Sequence, residues 1–300
     1  MPSRVHVPRV HVLGNCMMDI RLELPHLPRP GETLAGGDGR RTPGGKAVNQ
    51  AVAAARAGAR VRLCTPFGHD PAADEVRRLL DREALEELDG PVFPFAQDFA
   101  LLLVTPNGEN ATVGIVQCAR SLLPDHAVRF VAAAEPGDVV LLQGNLSEAT
   151  TVAAVRAAPP GAVLFNPSPV VWDAAALLEA SGVVVANELE ARLLTGCADG
   201  AQGALALAAR GPALALVTAG ARGCFTAVEG AVRHWPAPVV AASDTSGCGD
   251  VFCGVFAAGL AGGRPLDEAV GRAQNAAALT ATRPGAFAAI PRAEEMPGFG

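Results

Sequence analysis

Two carboxylates bracket a run of small residues in Asp244-Thr245-Ser246-Gly247-Cys248-Gly249-Asp250, and an apolar segment, residues 251–256, follows at once. Gly247 and Gly249 allow a tight turn and a close approach of backbone to ligand. A helix that begins near Gly249 turns unpaired N–H groups and the positive end of its dipole toward that turn. The stretch can therefore hold an anion, with Asp250 at its edge as a base for a proton. For the heptad alone, the competing reading is a glycine-rich connection that binds nothing.

Other residues fit for chemistry are spread along the chain. Gly44-Gly45-Lys46-Ala47-Val48-Asn49-Gln50 leads into an alanine-rich helical segment and contains the only lysine of the sequence. Asp19 follows a first apolar run, and Asn145 follows another that ends at Gln143. Asn187 and Glu190 are three apart and share a face if their segment is helical. Taken singly, each has a plainer reading: a turn residue for Asp19, a helix cap with a solvated carboxylate for Asn187 and Glu190, and a glycine turn for Thr218 to Gly223.

The elements that must position these residues can be read from the pattern. Strands are expected at 10–15, 60–66, 139–143, 162–166, 183–186 and 215–218, the last four apolar enough to be buried in a parallel sheet. Helices are expected at 51–58, 72–88, 148–158, 173–179, 188–195 and 201–209. That alternation implies an α/β fold with a doubly wound, mostly parallel sheet flanked by helices. In such a sheet ligands sit beyond the carboxyl ends of the strands, where the chemically able residues fall. Pro106-Asn107-Gly108-Glu109-Asn110 between two β-rich runs is a hairpin signal. The β-rich stretches at about 15–43 and 94–118 should form a separate small sheet attached to a single domain spanning 1–300.

Composition narrows the classes. Half of the 300 residues are hydrophobic and the formal net charge is −6, so no basic footprint for nucleic acid exists. The seven cysteines are scattered, without metal-site spacing, and read as free thiols of an intracellular protein. No secretory leader or membrane span is evident, which points to a cytoplasmic location. A dinucleotide-binding dehydrogenase would need G-x-G-x-x-G after the first strand, and residues 14–19 do not supply it.

Four motifs in order carry a closer resemblance. Residues 44–51, Asn187-Glu188-Leu189-Glu190, Thr218-Ala219-Gly220-Ala221-Arg222-Gly223 and Asp244 to Asp250 resemble the signatures of the ribokinase-like (PfkB) carbohydrate kinases, over nearly the whole length. Thr282-Arg283-Pro284-Gly285-Ala286 is similar to the family as well. The resemblance implies transfer of the γ-phosphoryl group of ATP to a sugar hydroxyl. Asp250 is then the general base, and the N–H groups of Gly247, Cys248 and Gly249 form the anion hole. It implies Met17, Asp19, Gly45, Lys46, Asn49 and Asn145 at the acceptor. Asn187, Thr218, Gly220, Gly223, Gly249 and one of Gln274 and Asn275 would contact ATP. Glu190 would act on Mg²⁺ through water, while Asp244, Ser246, Thr280, Arg283, Gly285 and Ala289 match a K⁺ site built mostly from carbonyls. The small sheet resembles the family's lid, which often pairs with a second subunit, so a homodimer is expected.

Two positions depart from the ribokinase pattern: Met17 stands for an asparagine and Asn145 for a glutamate. Loss of one amide and one charge reshapes the acceptor pocket. A ketohexose, another monosaccharide or a nucleoside remain open, as does a non-catalytic sugar- or nucleotide-binding protein. Arg40 and Arg41 are the candidates for a phosphorylated acceptor, though such a pair otherwise reads as solvated.

Overall fold

Short apolar runs recur along the sequence, and they assemble into two sheets. The computed structural model describes residues 6–37, 39–107 and 109–296. Its strands are β1 (Arg9–Leu13), β2 (Met17–Glu23), β3 (Arg40–Gly44), β4 (Arg60–Cys64), β5 (Glu87–Asp89), β6 (Phe99–Val104) and β7 (Asn110–Ile115). The chain continues with β8 (Val139–Gln143), β9 (Val163–Asn166), β10 (Val183–Asn187), β11 (Leu214–Thr218), β12 (Cys224–Val228) and β13 (Ala231–Trp235). Among the described residues, nine strands form one sheet in the order β13-β12-β11-β10-β9-β8-β1-β4-β5. Pairing is parallel from β11 to β5, and β12 and β13 extend it as an antiparallel hairpin.

Alternate residues of the central strands serve opposite faces. Val10 and Val12 join one buried cluster, while Leu13 with Val140 and Leu142 joins the other. Helices α1 (Lys46–Arg56), α2 (Pro71–Leu80), α9 (Cys248–Ala261) and α10 (Leu266–Ala281) supply the first cluster. The second takes α3 (Gln117–Ser121), α4 (Pro124–Val131), α5 (Glu148–Ala157), α6 (Ala175–Ala180), α7 (Glu188–Thr195) and α8 (Gly200–Ala208). The doubly wound expectation therefore holds. Strand order reverses between β1 and β8, which makes their carboxyl ends a natural crevice.

The approach of α1 to α9 is set by Gly254. A Cβ there would lie 2.2 Å from the Gln50 carbonyl oxygen and 2.8 Å from the Ala53 Cβ, so only glycine lets these backbones meet. That contact decides where the first turn of α9 lies relative to α1.

One expected element is corrected. The helix expected over 72–88 ends at Leu80, and Glu87–Asp89 is instead the edge strand β5. The acids of this stretch are drawn to basic partners on neighbouring elements. Glu83 takes Arg56, Glu86 takes Arg9 and Arg60, and Glu87 takes Arg62. Tertiary pairing thus overrides helical propensity.

The small sheet has the order β3-β2-β6-β7, with β2 parallel to β6 and the other two pairs antiparallel. The expected β6–β7 hairpin is present; Gly108 of its turn lies outside the described residues. Three crossings between this sheet and the body meet at Asp98. Its carbonyl accepts from Met18 N–H at 2.8 Å, and its carboxylate accepts the N–H groups of Cys118 (2.8 Å) and Ala119 (2.9 Å). Burial raises the Asp98 pKa against the pull of those hydrogen bonds. Truncation would leave buried N–H groups without acceptors. We expect Asp98→Ala to lower the unfolding free energy by about 2 kcal/mol in urea titrations, and an unchanged midpoint would contradict the anchoring role.

Candidate active site

Asp250 occupies the first turn of α9 and is only 7% exposed. Gly247 caps the helix in the left-handed region (φ 75°), and a Cβ on it would sit 2.9 Å from the Ala286 Cβ. The glycine is therefore required by both torsion and space. The Cys248 N–H reaches the Thr245 carbonyl at 3.3 Å. First-turn N–H groups of a helix lack intrahelical acceptors, so Gly247 and Gly249 leave donors open to a ligand. The Cys248 thiol, pushed up to about 11 by burial, stays neutral, and its N–H, expected in the anion hole, is turned to Thr245 instead.

A buried carboxylate needs partners, and α1 supplies them. Asn49 Nδ2 donates to Asp250 Oδ2 at 3.2 Å and Gln50 Nε2 donates to Oδ1 at 3.0 Å. The Lys46 ammonium stands 3.6 Å from Oδ1, and Asp250, more than any other neighbour, raises its pKa. Gln50 also donates to Asn166 Oδ1 (3.2 Å) and accepts from Gln143 Nε2 (2.7 Å), while Asn166 Nδ2 donates to the Val185 carbonyl (2.9 Å). Gln50, Gln143 and Asn166 escaped the sequence reading. The signal available was a glutamine inside an otherwise alanine-rich helix, where an amide is worth burying only if it is bonded.

A cavity of about 590 Å³ opens beside Asp250. Met17, Gly45, Lys46, Asn49 and Asn145, the residues that the sequence resemblance groups at the acceptor, all line it, and Asn15, Val116, Arg120, Leu146, Val171 and Trp172 join them. Asn145 Nδ2 donates to Asn15 Oδ1 at 2.5 Å, across the point where strand order reverses. Asn49 Oδ1, Asn145 Oδ1 and Trp172 Nε1 are buried without a partner among the described residues. Orphaned polar atoms of this kind cost about 1–3 kcal/mol each unless a ligand or water meets them. Asp19 is not among the lining residues. It lies on β2 against the Gly44 backbone, where a Cβ on Gly44 would fall 2.1 Å from its carboxylate. Burial, with the charge of Asp250 adding to it, pushes the Asp19 carboxyl up to about 7.

A larger depression of about 690 Å³ lies elsewhere, lined in part by Arg56, Arg283 and Phe287. Two of its guanidinium groups are already paired, Arg56 with Glu83 and Arg283 with Glu295. It has none of the orphaned polar atoms found beside Asp250.

The remaining sequence-derived residues gather at the carboxyl ends of β10 and β11 and along α10. Asn187 and Glu190 form a capping box on α7: Asn187 Oδ1 accepts from Glu190 N–H (2.8 Å), and Glu190 Oε2 accepts from Asn187 N–H (2.9 Å). Glu190 is buried rather than solvated and adds to the field on Lys46. Thr218 ends β11, and Gly220 and Gly223 carry the turn after it with φ of 58° and 93°. Gln274 is buried with its amide on the Trp235 carbonyl at 2.8 Å, whereas Asn275 is exposed. Between the two, Asn275 is the one with a free side chain.

Asp244 joins the loop before α9 to the loop after α10. Its carboxylate accepts from Ser246 N–H (2.9 Å) and Gly285 N–H (2.8 Å), with Arg21 at 3.5 Å. Burial works to raise its pKa, but those hydrogen bonds outweigh it and hold the carboxyl below the usual range. Thr280 is buried and bonds the Ala276 carbonyl through its hydroxyl, Arg283 turns to Glu295, and Ala289 is buried in a short 3₁₀ turn. Side chains at 280, 283 and 289 are thus committed to structure or apolar, leaving only carbonyls to meet a cation.

Comparison with known proteins gives a consistent result. Residues 7–293 match the pfkB family carbohydrate kinase pattern. The ribokinase of Haemophilus influenzae is 31% identical over 297 residues, covering 96% of this chain and 97% of that protein. The solved ribokinase of Thermotoga maritima superposes with a TM-score of 0.90 at 27% identity, over 97% of this chain and 99% of that one. The Arabidopsis thaliana ribokinase, solved with ribose and ATP, shares the fold at a TM-score of 0.85 and 23% identity, over 98% and 99% of the two chains.

The raised Asp19 pKa has a consequence for stability. An unfolded aspartate ionises near 4, and the folded one near 7, so between these values the folded state holds the extra proton. Stability contributed by this group therefore falls as pH rises from about 4 to about 7, and is level above that. In Asp19→Asn that fall disappears, so the variant's stability relative to the parent should rise across the window. Urea midpoints at several pH values between about 4 and 8 check this, and a pH-independent difference contradicts it.

Proposed function

This chain belongs to the pfkB family of carbohydrate kinases, and we propose that it moves the γ-phosphoryl group of ATP onto a hydroxyl of a small sugar with Asp250 as general base. The observation that carries the reading is the joint placement of Asp250. It stands at the positive end of α9, held by two amides and a lysine, on a cavity whose polar atoms at Asn49 and Asn145 lack partners.

The chemistry follows from that placement. A sugar hydroxyl entering the cavity gives its proton to an Asp250 oxygen as its own oxygen attacks the terminal phosphorus, while the bond from that phosphorus to the bridging oxygen breaks and ADP leaves. Negative charge spreading over the transferring oxygens is met by Gly247 and Gly249 N–H groups and by the α9 dipole. Lys46 balances the ionised form of Asp250 and adds positive charge at the centre. Asn49 and Asn145 orient the sugar through oxygens that already lack donors.

ATP is expected along Asn187, Thr218, Gly220, Gly223 and Asn275, at the carboxyl ends of β10 and β11. Glu190 has an oxygen beyond the capping box and would orient the water shell of Mg²⁺, which when bound neutralises phosphate charge. A monovalent cation would rest on carbonyls of the two loops that Asp244 ties together. The small sheet would serve as a lid that excludes water during transfer. Its strand β7 exposes Val113 and Ile115, apolar surface that a second copy would cover in a homodimer. No helix among the described residues is long and apolar enough to cross a membrane.

Asp250→Asn should keep the fold and the KM for ATP while kcat falls by roughly 10²–10⁴. A coupled assay of ADP release over pentoses and hexoses reads this directly, and a near-normal kcat would contradict the assignment of the base.

A further inference from the structure

Resting on the phosphoryl-transfer reading, we propose that the acceptor is a sugar acid, whose carboxylate is met by Arg120. Arg120 lies on α3 and lines the same cavity as Asp250, Asn49 and Asn145. Three charged residues line that cavity: Lys46, Arg120 and Asp250. Lys46 and Asp250 neutralise one another at 3.6 Å. Arg120 is solvent-exposed where it lines the cavity and, among the described residues, has no carboxylate within ion-pair reach, so it is the one charged group of the lining without an ionic partner.

Two further features match an anion rather than another hydroxyl. Asn145 is neutral and so adds no charge that would repel a carboxylate. Trp172 also lines the cavity, and its buried Nε1–H has no acceptor. A carboxylate accepts only, and can satisfy a guanidinium and an indole N–H together. The hydroxyl end of such a molecule finds the opposite kind of partner, the acceptor oxygens of Asp250, Asn49 and Asn145.

The backbone that carries Arg120 is anchored. Asp98 clamps the N–H groups of Cys118 and Ala119, immediately before it, so the short helix that bears the guanidinium is anchored to the body. One unpaired guanidinium matches a carboxylate in charge. A phosphate dianion would call for a second free cation, and Lys46 is already held by Asp250.

The test uses pairs that differ only in the anion: 2-keto-gluconate against fructose, and glucuronate against glucose, with fructose 6-phosphate as the phosphate arm. Binding is measured by calorimetry without ATP, and turnover by ADP release. The sugar acid is expected to bind more tightly than its neutral partner. In Arg120→Met the acid-to-neutral ratio, in both Kd and kcat/KM, is expected to fall roughly 10- to 100-fold, the worth of a charge-assisted hydrogen bond. Trp172→Phe removes the indole donor and should reduce the same ratio less. Equal binding of acid and neutral sugar, a ratio indifferent to Arg120→Met, or preference for fructose 6-phosphate would each overturn the proposal. Because the calorimetry needs no turnover, Arg120-dependent binding of the acid without phosphorylation would support this site while rejecting the kinase reading.

Discussion

One side-chain amide, that of Gln50, holds the proposed reacting centre together. Its nitrogen is shared between Asp250 Oδ1 and Asn166 Oδ1, and its oxygen accepts from Gln143. Those partners stand on α9, β9 and β8, and Asn166 continues the chain of bonds to β10 through the Val185 carbonyl. A buried amide with unmet donors is expensive, so these five elements can settle only where all of its bonds close. The backbone meets the same demand at Gly254, where α9 presses against the Gln50 carbonyl. Sheet and helix layers are therefore registered to each other at the spot where Asp250 projects.

Electrostatics follows from that registration. Isolated, a carboxylate as enclosed as Asp250 would be costly to ionise; two amides and the Lys46 ammonium supply what water otherwise would. Asp19 lacks such partners, feels Asp250 as a like charge, and is left titrating near neutrality. The small sheet contributes Met17 and Asp19 to this region, and Asp98 fixes how it joins the body. Rigid anchoring at Asp98 and a shared cavity behind it make the small sheet part of the site.

Much of this was legible in the sequence because backbone constraints leave marks. Gly247 is demanded by the tight turn, the parallel strands are continuous apolar runs, and Asp250 closes a glycine turn. The side chains that align Asp250 were harder to see. Gln50, Gln143 and Asn166 belong to separate elements, and only the fold reveals that they meet. Arg120 and Trp172 sit in stretches with no motif, and their relation to the cavity is wholly tertiary. The segment after Leu80 was misread because its acids favour helix locally, whereas Arg9, Arg56, Arg60 and Arg62 fix them elsewhere. Of Gln274 and Asn275, adjacent amides of equal promise, burial against Trp235 separates the structural one from the free one.

The central claim is that this scaffold presents Asp250 to a sugar hydroxyl while the α9 terminus receives the terminal phosphate. A crystal structure with acceptor and a non-hydrolysable ATP analogue measures it most directly. The account predicts an acceptor hydroxyl about 2.6–3.2 Å from an Asp250 oxygen, with the terminal phosphate on the Gly249 N–H. An acceptor bound with its hydroxyls turned away from Asp250, or a phosphate seated away from α9, would contradict it.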